Sequence, residues 1–160
     1  MNRSIRRTLS WIALLLLTVP SISLANGLGY QGWGPRVGIS ADPDQLFGGV
    51  HFDLGEIVEH LRLQPNVEIG FGDDVTAVTG SVAVHWLYEV DWQGWQPYSG
   101  GEVGLNYLDF DGRRGSDTEF ALNAVSGVET RLKSDNRLSF EIKLGIIEEP
   151  DVKLLVGWTF

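Results

Sequence analysis

The nine residues from Val152 to Phe160 alternate without interruption. Val152, Leu154, Val156, Trp158 and Phe160 fall on one side of an extended chain, and Lys153, Leu155, Gly157 and Thr159 on the other. Successive side chains of a strand point to opposite faces, so the period of two marks this segment as β and not helical. Left unpaired in water, an edge ending in Trp-Thr-Phe would template association with other chains. Closing the sheet removes the edge, and a bilayer accepts the apolar side chains. The pattern asks whether the rest of the chain supplies enough strands to close a cylinder in lipid.

The same period recurs along the chain, and eight strands can be drawn: roughly Trp33–Ser40, Gln45–Leu54, Leu61–Gly72, Val75–Tyr88, Gln96–Leu108, Thr118–Leu132, Arg137–Gly145 and Val152–Phe160. In the third, Leu61, Leu63, Val67, Ile69 and Phe71 oppose Arg62, Gln64, Asn66, Glu68 and Gly70. In the seventh, Leu138, Phe140, Ile142 and Leu144 oppose Arg137, Glu141 and Lys143. Only Glu56–His60 offers a helical alternative, of one turn at most. A tilted strand needs about 9–11 residues to cross a bilayer, and these lengths fit. The even strand number fits as well. The expected fold is all-β: a closed antiparallel up-and-down transmembrane β-barrel of about eight strands.

The N-terminal segment agrees with export. Arg3, Arg6 and Arg7 precede an apolar stretch from Trp11 to Val19, and Ser23-Leu24-Ala25 has the small residues of a cleavage site. Met1–Ala25 therefore reads as a cleaved signal peptide, followed by one barrel domain over residues 26–160. Removing the three arginines leaves nine basic against 21 acidic residues, a charge of about −12. Such a balance excludes nucleic acid as a partner, because phosphate backbones reward basic surfaces. The absence of cysteine excludes a disulfide scaffold and thiolate metal sites.

Alternation alone does not say which face points outward. The polar face carries Gly49, Gly70, Gly72, Gly100, Gly104, Gly127, Gly145 and Gly157 among its charges. Those charges are Arg62, Glu68, Glu102, Glu129, Arg131, Glu141, Lys143 and Lys153. The interior of an eight-stranded barrel is only just wide enough for side chains. Glycines there let long charged side chains lie across the lumen, whereas on an outer face they would only weaken the strands. A charge turned to lipid near the midplane would cost about 2–4 kcal/mol for Arg or Lys. The expectation is apolar residues outward and a plugged lumen of mutually paired charges. Tyr30, Trp33, Trp86, Tyr88, Trp92, Trp95, Tyr98, Trp158 and Phe160 then fall at the rim that holds the C-terminus, with Phe47, Phe71, Tyr107, Phe110 and Phe120 near the other. Two aromatic belts are what a barrel crossing both membrane interfaces requires.

Pro97-Tyr98-Ser99-Gly100-Gly101-Glu102-Val103-Gly104 resembles the Pro-Tyr-x-Gly-x-x-x-Gly strand of small bacterial outer-membrane barrels related to the OmpA membrane domain and the opacity proteins. Leu122-Asn123-Ala124 through Gly127-Val128-Glu129 is similar to their following strand. The terminal strand, with Trp158 and Phe160, resembles the signal that the outer-membrane barrel-assembly machinery recognises in that family. The resemblance implies residence in the outer membrane of a Gram-negative cell envelope after export through the periplasm. It also implies contact with outer-membrane lipids and lipopolysaccharide. The outer loops are short, unlike the long variable loops of adhesive relatives. A monomer is expected.

Four turns share the rim away from the C-terminus, and each holds at least two carboxylates: Asp42 and Asp44, Asp73 and Asp74, Asp109 and Asp111, Glu148 and Glu149. Carboxylate oxygen is the ligand that hard cations choose, so this rim is the candidate site for Ca²⁺ or Mg²⁺. Asp is also a favoured turn residue, which explains the same pattern with no ion at all. Asp109-Phe110-Asp111-Gly112 begins like a Ca²⁺ loop without the later EF-hand ligands. His51 and His85 fall on the inward face and His60 in a turn, and no Gly-x-Ser-x-Gly elbow or His-x-Ser pair accompanies them. The expectation is a protein without catalytic residues or cofactor, with a structural or surface-interaction role. The alternatives are a narrow ion or small-solute channel, then a lipid A acyl-modifying enzyme, then a soluble periplasmic lipid binder.

Overall fold

The structure, a computed structural model, describes residues 28–41, 44–72, 75–90, 92–110, 115–147 and 152–160. The signal segment expected over residues 1–25 lies outside them. Eight strands follow in order: β1 Leu28–Ala41, β2 Gln45–Val58, β3 Leu61–Gly72, β4 Val75–Leu87, β5 Trp95–Phe110, β6 Gly115–Arg131, β7 Arg137–Ile147 and β8 Val152–Thr159. Each pairs antiparallel with the next, and β1 pairs with β8, from Ala41↔Val152 to Arg36↔Gly157. The terminal strand is therefore hydrogen-bonded on both sides, and the exposed edge that its sequence threatened does not exist.

The start of β1 and the end of β8 lie at one rim, together with the turns around residues 59–60, 88–94 and 132–136. Each of these turns contains a non-glycine residue in the left-handed region: His60 (φ 67°), Gln93 (φ 57°) and Asp135 (φ 63°). Positive φ suits the tight turns whose twist matches that of the strands they join. At the opposite rim the connections span two to four residues each.

Burial runs opposite to that of a water-soluble protein. Lys143 is 0% exposed and Leu105 is 58% exposed. Along β4, Ala77, Thr79, Ser81, Ala83, His85 and Leu87 face inward, while Val78, Val82 and Trp86 face out. The outward set includes Ile39, Phe71, Val103, Phe140 and Leu154 on other strands. Removing so much apolar area from lipid-like surroundings into water would be unfavourable at about 25 cal/mol per Å².

The inward face confirms the role of small residues at two positions. A Cβ on Gly127 would lie 2.6 Å from the Tyr98 ring, and one on Gly38 would lie 2.6 Å from the tip of Phe47. Each glycine is the floor on which an aromatic side chain rests. These two aromatics also correct the expected belts. Tyr98 and Phe47 are buried inside the barrel, 2% and 3% exposed, and belong to neither rim. The cause is parity: Tyr98 shares its face of β5 with Glu102, and Phe47 shares its face of β2 with His51. Trp33, Trp86, Trp92, Trp95 and Trp158 keep to the terminal rim, where Trp33 meets Phe160 at 5.9 Å and Phe160 N–H donates to the Trp33 carbonyl at 2.9 Å.

Candidate functional site

Inward alternation on eight strands delivers polar side chains to one axis, where they meet partners far away in sequence. At the centre, Lys143 on β7 places Nζ 2.8 Å from both Glu102 oxygens and 3.0 Å from Glu68 Oε1. Arg36 on β1 donates to Glu141 Oε1 at 2.7 Å and lies 3.3 Å from Glu68. Lys153 on β8 approaches the other Glu68 oxygen at 3.8 Å and stands over the Phe47 ring. Neutral donors complete the shell: Asn66 donates to Glu102 at 2.9 Å, Ser81 to Asn66 at 2.9 Å, and Tyr98 OH to Glu141 at 2.8 Å.

A second layer lies toward the terminal rim. Arg62 on β3 grips Glu129 on β6 through two parallel bonds of 2.9 and 2.6 Å. Arg137 pairs with Asp53, which also lies 3.8 Å from Arg62. Tyr98 links the layers. It stacks on His85 at 4.7 Å and carries the Arg62 guanidinium 5.7 Å above its ring.

The two layers are each charge-balanced. Arg36, Lys143 and Lys153 face Glu68, Glu102 and Glu141, while Arg62 and Arg137 face Asp53 and Glu129. Burying ions costs several kcal/mol each, and pairing with further hydrogen bonds is what offsets it. The chain as a whole is strongly acidic, so the excess negative charge lies outside this interior.

Seven of the eight expected lumen residues join the network. Arg131 does not: it is exposed and lines the mouth at the terminal rim, because β6 ends there. Arg36, Asp53 and Arg137 belong to the network and were not among the expected residues. Arg36 shares its face with Gly34 and Ser40 between Trp33, Val37 and Ile39, and this alternation is the signal that identifies it.

Of the expected cation rim, Asp44 and Asp109 are exposed. Asp42, Asp73, Asp74, Asp111, Glu148 and Glu149 lie outside the described residues. Among the described residues no three His, Asp or Glu side chains converge on a metal position. His51 and His85 are inward and buried, as the alternation implies. His51 Nε2 lies 2.8 Å from Thr159 Oγ1, a pair turned to the lumen and away from the apolar band. The barrel opens at the terminal rim into a polar vestibule of about 960 Å³, with Arg62, Asp53 and Glu129 at its floor.

No protein-family model and no curated protein matches the sequence. Solved structures do match the fold. Neisserial surface protein A (NspA) aligns at 13% identity with a TM-score of 0.66, covering 84% of this chain and 98% of that one. Ail, the attachment invasion locus protein of Yersinia pestis, aligns at 11% identity with a TM-score of 0.52, covering 84% and 98%. The chain thus has the eight-stranded closed fold of small bacterial outer-membrane barrels.

Proposed function

We propose that the protein is an integral protein of the bacterial outer membrane, delivered through the periplasm, with a structural or surface-interaction role and a lumen closed to ions. One observation carries this reading: an uncharged, exposed apolar band encloses an interior whose buried charges are matched one for one. Charges turned inward and paired offer a permeating ion neither a free site nor a wet path. Phe160 and Trp158, at the end of the last strand and packed against one another, are the residues proposed to be read during assembly.

The band is the surface for outer-membrane lipids, and the short-looped rim, with Asp44 and Asp109, is the surface for lipopolysaccharide or other envelope partners. NspA is a surface protein and Ail an attachment protein by name, which supports a non-catalytic surface role on the same fold. Fold alone does not assign a job, so the test must address the lumen directly. Purified protein reconstituted in a planar bilayer is expected to give no steady conductance, and to run in gels as a heat-modifiable band. A stable open level would replace this reading by the channel. Turnover in a lipid A deacylation or acyl-transfer assay would replace it by the enzyme.

A further inference from the structure

Every pair of neighbouring strands in the barrel is joined directly by the chain except one. β1 and β8 are the first and last strands and meet only through their ladder. Among the described residues that ladder is also the shortest of the eight. It runs from Ala41↔Val152 to Arg36↔Gly157, with one further bond from Phe160 N–H to the Trp33 carbonyl. The β5–β6 ladder, by comparison, runs from Phe110↔Gly115 to Trp95↔Thr130. Parting any other pair of strands must work against a connecting turn. Parting these two costs only the bonds that cross between them, which is where local opening starts.

The lumen supplies what the ladder lacks. His51 on β2 reaches past β1 and shares a hydrogen bond of 2.8 Å with Thr159 on β8. Arg36 on β1 reaches past β8 and donates to Glu141 on β7 at 2.7 Å. Arg137 on β7 pairs with Asp53 on β2, across both strands of the joint. Lys153 on β8 lies 3.8 Å from Glu68 on β3. Each contact ties a strand on one side of the joint to a strand on the other. The rung partner of Arg36 on β8 is Gly157, which has no side chain to offer, so the charge is answered one strand further on. Separating β1 from β8 therefore pulls apart buried charges as well as backbone, and a buried charge that loses its partner is expensive.

We infer that the β1–β8 joint is a latch held shut from inside the lumen, and that releasing its braces opens the barrel sideways toward the bilayer while β2 to β7 stay paired. Strand edges bared in hydrocarbon find no other partner, so the intact latch stays closed. The inference stands on contacts across the joint and does not depend on whether the lumen conducts.

The test is amide hydrogen exchange of the whole barrel in detergent micelles, comparing amides bonded across the β1–β8 ladder (within residues 37–41 and 152–156) with those of residues 80–84 and 101–105. The double variant Arg36→Met/Glu141→Leu removes one brace without a net change of charge. It is expected to speed exchange at the joint at least tenfold relative to the β4–β5 set. Thr159→Val removes the His51 brace alone, and at least threefold is expected. Arg62→Met/Glu129→Leu, which joins β3 to β6 and spans no part of the joint, is expected to leave the ratio of the two sets unchanged. The chain has no cysteine, so Val37→Cys/Val156→Cys places a single disulfide on one rung of the joint, at a separation such a bond spans. Added to the brace variants, that cross-link is expected to return exchange at the joint to the original rate. Equal acceleration of both sets would make the braces ordinary contributors to global stability and overturn the latch. So would an unchanged ratio in Thr159→Val, which keeps the test open should the double variant not refold, or a cross-link without effect.

Discussion

Arg62 on β3 and Glu129 on β6 meet through two parallel hydrogen bonds of 2.9 and 2.6 Å, although 67 residues and two further strands separate them. Truncating one member leaves the other buried with only part of its charge compensated, since Asp53 is 3.8 Å from Arg62 and Arg137 is 3.8 Å from Glu129. Glu129→Leu is expected to cost about 3–5 kcal/mol of unfolding free energy, the range for breaking a buried pair. The double variant Arg62→Met/Glu129→Leu removes both charges and is expected to recover most of that loss. Urea unfolding of the refolded barrel, followed by tryptophan emission, measures both. A double variant no better than the single would show that the pair is not the unit of stability.

Salt separates this interior from an ordinary surface. Exposed ion pairs weaken over a screening length of about 10 Å at 0.1 M, whereas enclosed pairs are screened far less. Lys143 is fully buried against Glu102 and Glu68. The coupling energy of Lys143 with Glu102, from a double-mutant cycle, is expected to stay constant between 50 mM and 500 mM NaCl. The surface contact of His60 with Glu89, 3.3 Å apart with Glu89 largely exposed, is expected to show no coupling that survives the higher salt. A Lys143–Glu102 coupling that fades with salt would mean that electrolyte enters the lumen.

The sequence disclosed which residues turn inward and left their partners hidden. Leu61–Gly72 is a strand with the bounds its alternation implies, because no irregularity interrupts it. β2 runs four residues beyond the expected Leu54, to Val58, since a register shift around Gly55 breaks the period there. β5 and β6 extend into the segment expected to be loop, where Asp109, Ser116 and Asp117 continue the pairing. With solvent on both faces of such a hairpin tip, selection for alternation disappears while the backbone ladder persists. Phe47 and Tyr98 have inward parity but outward-looking chemistry, and residue type outweighed position in the expected belts. The Arg62–Glu129 and Arg36–Glu141 contacts depend on the tilt and closure of the whole barrel. No local pattern encodes those.

Gly127 and Tyr98 test how tightly the lumen is filled. A methyl group at position 127 would meet the Tyr98 ring at 2.6 Å, inside van der Waals contact, while Tyr98 is itself held by Glu141 and His85. Gly127→Ala is expected to destabilise the barrel by about 1–3 kcal/mol, as overpacking does in a dense core. Tyr98→Leu alone loses the bond to Glu141 and the stacking. Combined, the two substitutions are expected to cost less than their separate sum, because shortening residue 98 removes the ring contact, while the Phe140 carbonyl oxygen, also 2.6 Å from the added methyl, keeps the remainder of the cost. Strict additivity, measured by the same urea curves, would mean that Tyr98 does not rest on Gly127.

The orientation of the apolar face has its own test in the depth at which a charge is tolerated. Val103 sits mid-strand on β5, paired with Val82 and Leu122, and is 47% exposed with no charged side chain beside it on that face. If hydrocarbon is its neighbour, Val103→Arg costs about 2–4 kcal/mol, as an arginine near the bilayer midplane does. Tyr107 lies four residues nearer the rim on the same face, and Tyr107→Arg is expected to cost no more than about 1 kcal/mol, because the long side chain can reach the headgroups. The gradient between these positions, measured by refolding into lipid vesicles, distinguishes lipid from water more sharply than either value alone. In water both arginines would be nearly neutral surface changes. A flat profile along β5 would therefore place solvent against this band and remove the physical basis for membrane insertion.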